Sequence, residues 1–581
     1  MGYLENLEEI SNKKEKHEFY LPIPKGYERG KTKYIIVTGS VMSGVGKGTL
    51  TSCLGTLLRC HGLKISMIKF DGYLNYDAGT LNPFRHGEVF VLDDGTECDL
   101  DLGSYERFTN QNYTKDNYLT AGKIFKRIIE KERKGEFLGR DVQFIPHVTG
   151  EIKGFLRELA VKTRADVILV EVGGTVGDIE NSYFIEAMRE LRYEEGKDNV
   201  CFINVTYIIE PKSLQEQKSK AAQLGIRKLL ELGVQPDIIF CRCESKLNES
   251  IREKISIYSN VPLKNVFELG DVESVYEIPL ILKDNNVDKA IFEVLKISER
   301  KNEESDINFS IWSSFVDKIK KSNKKINIAI VGKYTKVRDA YISIIKALEH
   351  SAAYYLAKPE IKWVEATLLE DENNNVKEDL VKESLKDVHG IIVPGGFGKR
   401  GIEGKIYSIK YARENNIPFL GLCLGFQLAI IEFARNVCNL KDANSREFDS
   451  NTKHPVVDLL PEQKNIEEIG GTMRLGGKDV EIVPNTLAHK LYGKLLVRER
   501  FRHRFECNPN YLEILEKHGM VFSGKAPNSN IMQILELPFH RFFLATQFHA
   551  EFTSKPLAPS PIFKGFIKSC LEFAGLSENS L

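Results

Sequence analysis

The sequence predicts two α/β domains, each built around a mostly parallel β-sheet. Three observations support this fold class. Short apolar runs alternate with segments of helical periodicity in both halves of the 581-residue chain, glycine-rich turns follow several of these runs, and a charged stretch separates the halves. A chain of this length exceeds what one hydrophobic core supports, so at least two domains are expected.

The first domain is predicted over residues 31–297. Its strands are expected at 34–37, 63–68, 167–170, 202–209 and 237–240, with helices such as 50–59 and 220–232 between them. Strands that alternate with helices pair in parallel, because each helix returns the chain to the same edge of the sheet. Residues 1–30 form a charged extension punctuated by proline and glycine, and we expect a solvated tail there.

The second domain is predicted over residues 325–581, with strands expected at 326–331, 390–393 and 417–420. Residues 298–324 are predicted as a linker, because the composition turns polar and charged from Ser298 to Asp306. Residues 371–375 are expected to form a polar loop.

The composition indicates a cytoplasmic enzyme. The chain has 81 basic and 81 acidic residues, and this zero net charge argues against nucleic acid as a general partner. Ten cysteines without regular spacing are typical of reduced thiols rather than of a disulfide framework or a metal site. The N-terminus is no signal peptide, and no apolar run approaches the ~18 residues that a membrane span needs.

The most specific chemical signal is Gly421-Leu422-Cys423-Leu424-Gly425, which follows an apolar run. Two glycines around a cysteine permit a sharp turn from strand to helix, with an exposed sulfur at the helix N-terminus. The helix dipole favours the thiolate there, so we predict Cys423 as the nucleophile of an acyl transfer through a thioester. A buried structural cysteine is the alternative, because free cysteine is among the most buried residue types.

Two further motifs favour catalysis over a structural cysteine. The segment Phe548-His549-Ala550-Glu551 offers a base and a carboxylate to orient it, and both lie on one face if the segment is a strand. The segment Val393-Pro-Gly-Gly-Phe-Gly398 follows its own apolar run and can aim backbone N–H groups at a developing oxyanion.

Together these motifs resemble those of class I glutamine amidotransferases, which release ammonia from glutamine with a Cys-His-Glu triad. The resemblance implies Cys423 as nucleophile, His549 as base and Glu551 as the residue that orients the base. It also implies a glutamine site formed by Gly396 near the oxyanion and by Leu424, Gly425, Phe426, Gln427, Glu447 and Arg504. The chain departs from the family at Ala550, where proline is usual; proline would restrict only φ, so we expect little chemical consequence.

A phosphate site is predicted in the first domain, where strand 34–37 leads into a glycine-rich loop that ends at Lys47. The N–H groups of such a loop and the N-terminus of the following helix bind phosphates, and the lysine adds a positive charge. The loop is not a strict Walker A motif, because Val41 stands where glycine is required and Gly48 separates Lys47 from Thr49. A glycine-rich surface turn is the alternative.

Charged residues also gather near the ends of predicted strands. Lys69 and Asp71 close the second strand, Asp99 and Asp101 form an acidic pair, and Glu171 follows the run 167–170. Ligands of open α/β sheets bind at the carboxyl ends of strands, so Asp101 and Glu171 are candidate Mg²⁺ ligands, with nucleotide phosphates completing the coordination. Solvated surface carboxylates are the alternative.

The motifs of the first half resemble the amidoligase domain of the CTP synthase family. They are Ser43-Gly-Val-Gly-Lys-Gly48, His86-Gly-Glu-Val-Phe-Val91, Asp99-Leu-Asp-Leu-Gly103 with Tyr105-Glu-Arg-Phe108, and Glu171-Val-Gly-Gly-Thr-Val-Gly-Asp-Ile-Glu180. With the glutaminase motifs, the resemblance runs from about residue 33 to about residue 573. It implies two Rossmann-like α/β domains, a P-loop-like amidoligase domain and a class I glutaminase domain.

The resemblance also implies two nucleotide sites. The ATP site would comprise Gly44, Val45, Gly46, Lys47, Gly48, Thr49, Lys69, Asp101, Gly270, Asp271 and Val272. The site for UTP, and for CTP as feedback inhibitor, would comprise Ser43, Asp178, Ile179, Glu180, Lys218, Ser219, Lys220, Ala221, Ala222, Gln223 and Lys254. The family has Lys-Thr-Lys-Pro-Thr-Gln where this chain has Lys-Ser-Lys-Ala-Ala-Gln at 218–223, so both lysines and the glutamine are kept and phosphate binding is expected to survive.

The implied reaction is the ATP-dependent amination of UTP to CTP through a UTP phosphorylated on O4, a step of pyrimidine nucleotide biosynthesis. Ammonia from glutamine would pass internally to the amidoligase domain, and His86 resembles a residue at the entrance of that route. The family implies a homotetramer that can form filaments, and GTP as an allosteric activator. Two other functions stay open: a glutaminase whose first half only senses nucleotide, and a filament-forming protein without activity.

Overall fold

A computed structural model describes Tyr20 and residues 22–213, 216–298, 303–459 and 473–576. The chain divides into two compact units. The first unit comprises Met1–Thr80 and Ser104–Ser313, and the second comprises Leu81–Gly103 and Ser314–Leu581. No helix of the described residues is both long and apolar enough to cross a membrane.

The strands of the described residues are β1 (Lys33–Gly39), β2 (Ile65–Asp71), β3 (Phe90–Val91), β4 (Glu97–Cys98), β5 (Tyr118–Thr120), β6 (Val167–Val172), β7 (Val200–Tyr207), β8 (Ile238–Arg242), β9 (Val266–Leu269), β10 (Lys324–Gly332), β11 (Ala357–Glu365), β12 (Gly390–Val393), β13 (Phe419–Leu422), β14 (Ala443–Ser445), β15 (His454–Leu459), β16 (Arg474–Ile482), β17 (Leu496–His503), β18 (Phe505–Cys507), β19 (Val521–Lys525), β20 (Met532–Glu536) and β21 (Phe543–Thr546).

The α-helices of these residues are α1 (Lys47–Cys60), α2 (Pro83–His86), α3 (Leu100–Thr109), α4 (Ala121–Arg133), α5 (Thr149–Thr163), α6 (Ser182–Glu195), α7 (Lys220–Glu231), α8 (Glu249–Ser259), α9 (Ile278–Asp284), α10 (Val287–Leu295), α11 (Glu303–Lys321), α12 (Ile342–Tyr354), α13 (Glu378–Leu385), α14 (Ile402–Glu414), α15 (Leu424–Asn436), α16 (Leu487–Tyr492), α17 (Leu512–Lys517) and α18 (Pro561–Phe573).

The first unit is built on a parallel sheet whose described strands run in the order β5-β2-β6-β1-β7-β8-β9. Strands β2 and β6 are buried along their whole length, because helices cover both faces of a parallel sheet. This confirms the predicted fold class, and all five predicted strands are present. Helix α1 begins at Lys47 and is three residues longer at its N-terminus than the predicted helix 50–59.

The second unit is built on a mixed sheet in the order β11-β10-β12-β13-β21-β20-β19-β16-β17. The strands from β11 to β21 pair in parallel, and those from β21 to β17 pair antiparallel. Apolar residues pack on both faces of the parallel part, which therefore forms a rigid support at the centre of the unit.

Tyr20 and residues 22–30 differ from the solvated tail that we expected, because several of them pack against the first unit. The Tyr20 hydroxyl donates to the fully buried carboxylate of Glu151, and the Tyr27 hydroxyl lies 2.9 Å from that of Tyr34. Glu151 is also paired with Arg127 and Lys131, so the Tyr20 hydroxyl joins an existing buried network of charged groups. The rest of the predicted extension lies outside the described residues.

The predicted linker 298–324 contains the 19-residue helix α11. Its apolar side chains Phe309, Trp312, Phe315 and Val316 are buried, so the polar composition that suggested a linker marks only its beginning and its solvent face. The predicted polar loop at 371–375 is confirmed: Asp371 accepts N–H bonds from Asn373 and Asn375, which closes a tight turn.

Candidate active site

Cys423 lies at the turn between β13 and α15, where it is the N-cap residue of the helix. Its backbone has φ 53° and ψ −97°, a conformation that L-residues rarely adopt and that a nucleophile elbow imposes. Glycine is required on one side, because a Cβ on Gly425 would lie 2.1 Å from the carbonyl oxygen of Val393. The predicted elbow is confirmed, but the prediction of an exposed sulfur is wrong, since Cys423 is 5% exposed.

The imidazole of His549 is oriented by Glu551, whose Oε1 lies 2.7 Å from Nδ1. The two residues occupy a turn after β21 rather than a strand, so the predicted contact is present while the predicted local structure is wrong. A Cβ on Gly395 would lie 3.0 Å from Cε1 of His549 and 3.6 Å from Cβ of Cys423. Base and nucleophile therefore meet at the same glycine of the loop after β12.

The electrostatics of this group favour a protonated imidazole. Burial acts to lower the pKa of His549, but the charges of Glu551 and Cys423 raise it to about 10. An imidazolium at neutral pH stabilises a neighbouring thiolate, which is the nucleophilic form of cysteine. The geometry thus places an imidazole that is held by a carboxylate beside the sulfur of Cys423, which is the arrangement of a nucleophile with its base.

Two residues that the sequence motifs did not indicate contact the sulfur. Sγ of Cys423 lies 3.6 Å from the carbonyl oxygen of Arg502 and 3.8 Å from Nε2 of Gln547. Gln547 also accepts a hydrogen bond from Gln427 at 3.2 Å. Gln547 precedes the His-Ala-Glu motif by two positions, and only this proximity could have pointed to it.

A cavity of about 80 Å³ opens beside the triad. It is lined by Cys423, His549 and Glu551 and, on the opposite wall, by residues of the segment 81–103, among them Glu88 and Val89. The predicted route residue His86 ends the short helix α2 and does not line this cavity itself. The role of His86 in an ammonia route therefore stays a prediction.

The predicted glutamine-binding residues lie around the same loop. Leu424, Gly425 and Phe426 form the buried first turn of α15, and Gln427 donates to the carbonyl oxygen of Phe505 at 2.8 Å. A Cβ on Gly396 would lie 3.8 Å from the Leu424 side chain.

Glu447 accepts the N–H of Gly398 at 3.2 Å. Burial raises the pKa of Glu447 against the effect of this bond and of the positive charges of Lys333 and Arg504. Arg504, which lies between β17 and β18, is close enough to act electrostatically on Glu447.

Lys333 supports the glycine-rich loop and was not indicated by any motif. Its Nζ donates to the carbonyl oxygens of Phe397, at 3.1 Å, and Gly398. Burial lowers the pKa of Lys333 to about 8, against the attraction of Glu447. Beside it, a cavity of about 420 Å³ is lined by Lys333, Phe397 and Gly398 together with residues of β11 and α2.

In the first unit, the predicted phosphate loop lies between β1 and α1. Val41, Gly44 and Gly46 have φ of 78°, 71° and 98°, so the loop bends its backbone N–H groups in a way that anion-binding loops do. Lys47 is buried as the first residue of α1, and its Nζ donates to the carbonyl oxygen of Gly174 at 2.7 Å. Ser43, Val45, Gly48 and Thr49 belong to this same loop and first turn.

Two neighbouring segments approach the phosphate loop. A Cβ on Gly225 of α7 would lie 2.7 Å from Cβ of Ser40, and one on Gly177 would lie 3.3 Å from Cγ of Lys228. Helix α7 and the loop that follows β6 therefore pack close to the start of the phosphate loop. The Gly177 contact is with Lys228, near the C-terminal end of α7, so the predicted UTP residues Asp178, Ile179 and Glu180 follow a glycine that packs about two turns from the N-terminus of this helix.

The segment 218–223 forms the first turn of α7 and the residues just before it. Lys218 pairs with Glu216 at 2.5 Å, and Gln223 donates to Oγ of Ser219 at 3.1 Å. The hydrogen bond from Lys218, and also the charge of Lys254, lower the pKa of Glu216. Lys220 begins the helix, and Ala221 and Ala222 stand where the family has proline and threonine; Ala222 is fully buried.

The residues predicted to bind Mg²⁺ belong to different units. Glu171 lies in β6 opposite Lys69 of β2, is 2% exposed, and accepts a hydrogen bond from the Tyr105 hydroxyl. A buried carboxylate at the end of a parallel sheet offers oxygen ligands that suit a hard cation, and the neighbouring lysine suits a phosphate. Asp101 lies in the first turn of α3, and its N–H donates to Asp99 at 3.0 Å. The described residues contain no cluster of three or more His, Cys, Asp or Glu side chains that could hold a metal alone.

The predicted adenine-side residues Gly270, Asp271 and Val272 line a groove of about 650 Å³ along the edge strand β9. Leu269 lines the same groove, and a Cβ on Gly46 would lie 3.7 Å from it, so the groove borders the phosphate loop. Asp271 pairs with Arg242. The geometry places a space large enough for a nucleoside next to a phosphate-binding loop.

Comparisons with known proteins identify both domains. Residues 33–297 match the model of the CTP synthase N-terminus, and residues 336–569 match that of class I glutamine amidotransferases. A CTP synthase of Pyrococcus furiosus is 51% identical over 543 residues, which are 93% of this chain and 98% of that protein. CTP synthases of Saccharolobus solfataricus and Caldanaerobacter subterraneus are 49% and 48% identical, covering 92% and 93% of this chain and 99% and 98% of theirs.

Among solved structures, the glutaminase domain of a Trypanosoma brucei CTPS with bound acivicin is 38% identical and covers 42% of this chain and 94% of that chain, with a TM-score of 0.40. A CTP synthase N-terminal domain joined to a class I glutamine amidotransferase domain defines a glutamine-hydrolysing ligase. The chain belongs to the CTP synthase family.

Proposed function

We propose that the protein converts UTP to CTP, with glutamine as nitrogen donor and ATP as energy source. One observation carries this proposal. A chain that matches CTP synthases along 93% of its length holds both a Cys-His-Glu site and a phosphate loop whose lysine is buried at a helix N-terminus. Glutamine hydrolysis supplies ammonia, and the nucleotide site consumes it.

In the glutaminase site, the Cys423 thiolate attacks the side-chain carbonyl carbon of glutamine. The imidazolium of His549 donates its proton to the departing nitrogen, and ammonia leaves behind a thioester on Cys423. His549 then accepts a proton from water, which attacks the thioester and releases glutamate. Glu551 holds the imidazole by Nδ1 throughout, and the backbone N–H of Gly396, near the oxyanion, stabilises each tetrahedral intermediate.

In the synthetase site, Gly44 to Thr49 bind the phosphates of ATP, and Lys47 and Lys69 offset charge on the transferred γ-phosphoryl group. Transfer to O4 of UTP turns a poor leaving group into phosphate. Ammonia attacks C4, loses a proton, and phosphate departs to give CTP. Asp101 and Glu171 would hold Mg²⁺, which neutralises phosphate charge when bound.

UTP binds through Ser43, Asp178 to Glu180, Lys218 to Gln223 and Lys254, and CTP binds the same residues as a feedback inhibitor. Lysines at 218, 220 and 254 suit a triphosphate, because a cluster of positive charge is what a polyanion requires. The groove at Gly270 to Val272 takes the adenine of ATP. The wall formed by Glu88 and Val89, with His86 nearby, begins the path by which ammonia leaves the triad.

The protein assembles as a homotetramer that can extend into filaments, and GTP activates its glutaminase. Assembly is supported by an apolar patch on the first unit: Phe144, Ile145 and Ile179 are 59%, 53% and 84% exposed, and Phe144 contacts the ring of Tyr183. Exposed apolar clusters of this kind mark protein interfaces. All ten cysteines are free thiols, which supports a reducing, cytoplasmic location.

Replacement of Cys423 by alanine tests the two-site account. With UTP, ATP and Mg²⁺ present, Cys423→Ala should form no CTP from glutamine and should form CTP from ammonium at a rate close to that of the wild type. Both reactions are followed by CTP absorbance. If a folded Cys423→Ala variant still makes CTP from glutamine, Cys423 is not the nucleophile; if ammonium also fails, the two sites are not separable.

A further inference from the structure

The hairpin formed by β3 and β4 belongs to the second unit, although residues 90–98 lie within the stretch that matches the CTP synthase N-terminus. Strand β17 faces this hairpin with arginines at every second position, which places their side chains on one face of the strand. The three contacts are Arg498 with Asp93 at 2.9 Å, Arg500 with the carbonyl oxygen of Val91 at 3.1 Å, and Arg502 with Glu97 at 2.7 Å.

The contact made by Arg500 connects the hairpin to the catalytic base through buried aromatic rings. The imidazole of His549 stacks on the ring of Phe552, with centroids 4.7 Å apart and planes 11° from parallel. Phe90 meets Phe552 edge to face at 5.0 Å, and the Arg500 guanidinium lies 5.4 Å from the Phe90 ring. The carbonyl oxygen of Arg500 accepts the N–H of His549 at 2.8 Å, which closes a ring of four residues. Each of the four is less than 10% exposed.

Another contact leads to the nucleophile. The side chain of Arg502 forms an ion pair with Glu97. The backbone carbonyl oxygen of Arg502 lies 3.6 Å from Sγ of Cys423. A single hairpin therefore reaches both reacting groups, the base through Phe90 and the sulfur through Glu97.

We propose that the hairpin 90–98 positions the glutaminase centre, with Phe90 and Phe552 as the positioning residues that hold the imidazole of His549. This proposal rests on the proposed role of His549 as base. Glu551 fixes one edge of the imidazole but leaves it free to tilt about that hydrogen bond. Phe552 removes the tilt by stacking on one face, and Phe90 keeps Phe552 in place.

The stack also acts on the proton of the base. An aromatic face attracts a cation, so Phe552 stabilises the protonated imidazole that serves as general acid. The groups that face His549 are Glu551, Cys423 and the Phe552 ring. Burial acts against the charges of Glu551 and Cys423, because it lowers the pKa of His549. Loss of the ring should therefore move the alkaline limb of the pH profile of kcat/KM for glutamine towards lower pH.

The test uses the full-length protein with Phe90→Leu, Phe552→Leu and the double variant. A small displacement of a catalytic group lowers the reaction rate strongly. Each single variant should therefore lower kcat for glutamine hydrolysis by roughly 10- to 100-fold, with KM changed less than kcat. The double variant should be no worse than Phe552→Leu alone, because both changes act through one stack. Ammonia-dependent CTP formation by Phe552→Leu should stay near the wild-type rate, which shows that the variant is folded.

Phe539→Leu is the matched control, because this phenylalanine is 97% exposed in the turn between β20 and β21. A milder variant, Glu97→Gln, keeps the hairpin packed while weakening the contact to Arg502, and should lower kcat by a smaller factor. The proposal is overturned if Phe90→Leu and Phe552→Leu hydrolyse glutamine like Phe539→Leu, if their effects multiply independently, or if glutamine- and ammonia-dependent CTP formation by Phe552→Leu fall in parallel. Failure of the proposed triad itself would be seen separately, as glutamine hydrolysis by Cys423→Ala.

Discussion

Lys405 is a fully buried lysine in the first turn of α14, and its Nζ has no hydrogen-bond partner among the described residues. Burial and the charge of Lys333 lower its pKa to about 7, against the attraction of Glu365 and Glu370. A buried amine without a partner destabilises the folded state, whichever protonation form it takes.

We predict that Lys405→Met raises the free energy of unfolding by ~1–3 kcal/mol near pH 7. Between pH 7 and the ordinary lysine pKa near 10.5, the unfolded chain binds the proton and the folded chain does not, so stability of the wild type rises with pH across this window. The advantage of Lys405→Met should therefore be largest at pH 6 and shrink towards pH 10. Urea unfolding at both pH values measures it, and an equal gain at both, or a loss at pH 6, would contradict the assignment.

Lys410→Met on the same helix is the control, because Lys410 is partly exposed and lies over the Tyr407 ring. That substitution should leave the pH dependence of stability unchanged.

The residues that carry chemistry could largely be named from the sequence. Four of them are indicated by local patterns. Neighbouring glycines indicate Cys423 and Lys47, and a spacing of two positions indicates His549 and Glu551. Lys333, Gln547 and Phe552 could not be found in this way, because they act through contacts between segments that are distant in the chain. The prediction of an exposed sulfur failed for the same reason: Arg502 and Gln547 lie next to Sγ of Cys423, and nothing in the elbow motif encodes these contacts.

At the scale of the secondary-structure elements, Tyr20 and residues 22–30 form a strap along helix α5. Gly150 and Gly154 of this helix face the strap one turn apart: a Cβ on Gly150 would lie 2.5 Å from the carbonyl oxygen of Tyr20, and one on Gly154 would lie 2.8 Å from Cγ of Pro22. Glycine in a helix interior is unfavourable by itself, so its use here is explained by the close approach of the strap.

We predict that Gly154→Ala destabilises the protein when the strap is present and stabilises it when the strap is absent. In the full-length chain the added methyl group should push Pro22 away and lower the midpoint of thermal unfolding. In a chain that starts at residue 32, the same substitution should raise stability by ~1 kcal/mol, because alanine favours the helix over glycine. Thermal unfolding of the four proteins decides this, and a stabilising Gly154→Ala in the full-length chain would show that the strap does not pack there.

Hydrophobic periodicity in the sequence predicted those elements that are buried along most of their length. Eight strands in the parallel parts of the two sheets were predicted within a few residues, because apolar runs between helices have few alternatives. Strands β5, β9, β11 and β21 of the same parts were not assigned. The strap and helix α11 were missed, because their sequences are polar and only a minority of side chains is buried. The mixed half of the second sheet, from β16 to β20, has alternating faces and was not assigned.

At the scale of the whole molecule, the two sites belong to one reaction sequence. We predict that Lys47→Ala abolishes CTP formation from glutamine and from ammonium alike, since it removes a charge that stabilises phosphoryl transfer. Glutamine hydrolysis should remain, because the triad lies in the other unit. Glutamate release and CTP absorbance, measured on one sample, separate the two activities; Lys254→Ala, on the proposed UTP side, should raise KM for UTP without this complete loss.

A protein whose first half only senses nucleotide would behave differently, because its Lys47→Ala variant would differ from the wild type only in regulation. The buried position of Lys47 and the groove beside the phosphate loop favour a site that acts on nucleotide rather than one that only detects it.

The most direct measurement of the central claim compares glutamate and CTP in one reaction. Wild-type protein with UTP, ATP, Mg²⁺ and saturating glutamine should release glutamate and form CTP in equal amounts, with one ADP for each CTP. Glutamate release without CTP, under conditions in which ammonium also yields none, would contradict the conclusion that these two sites make CTP together.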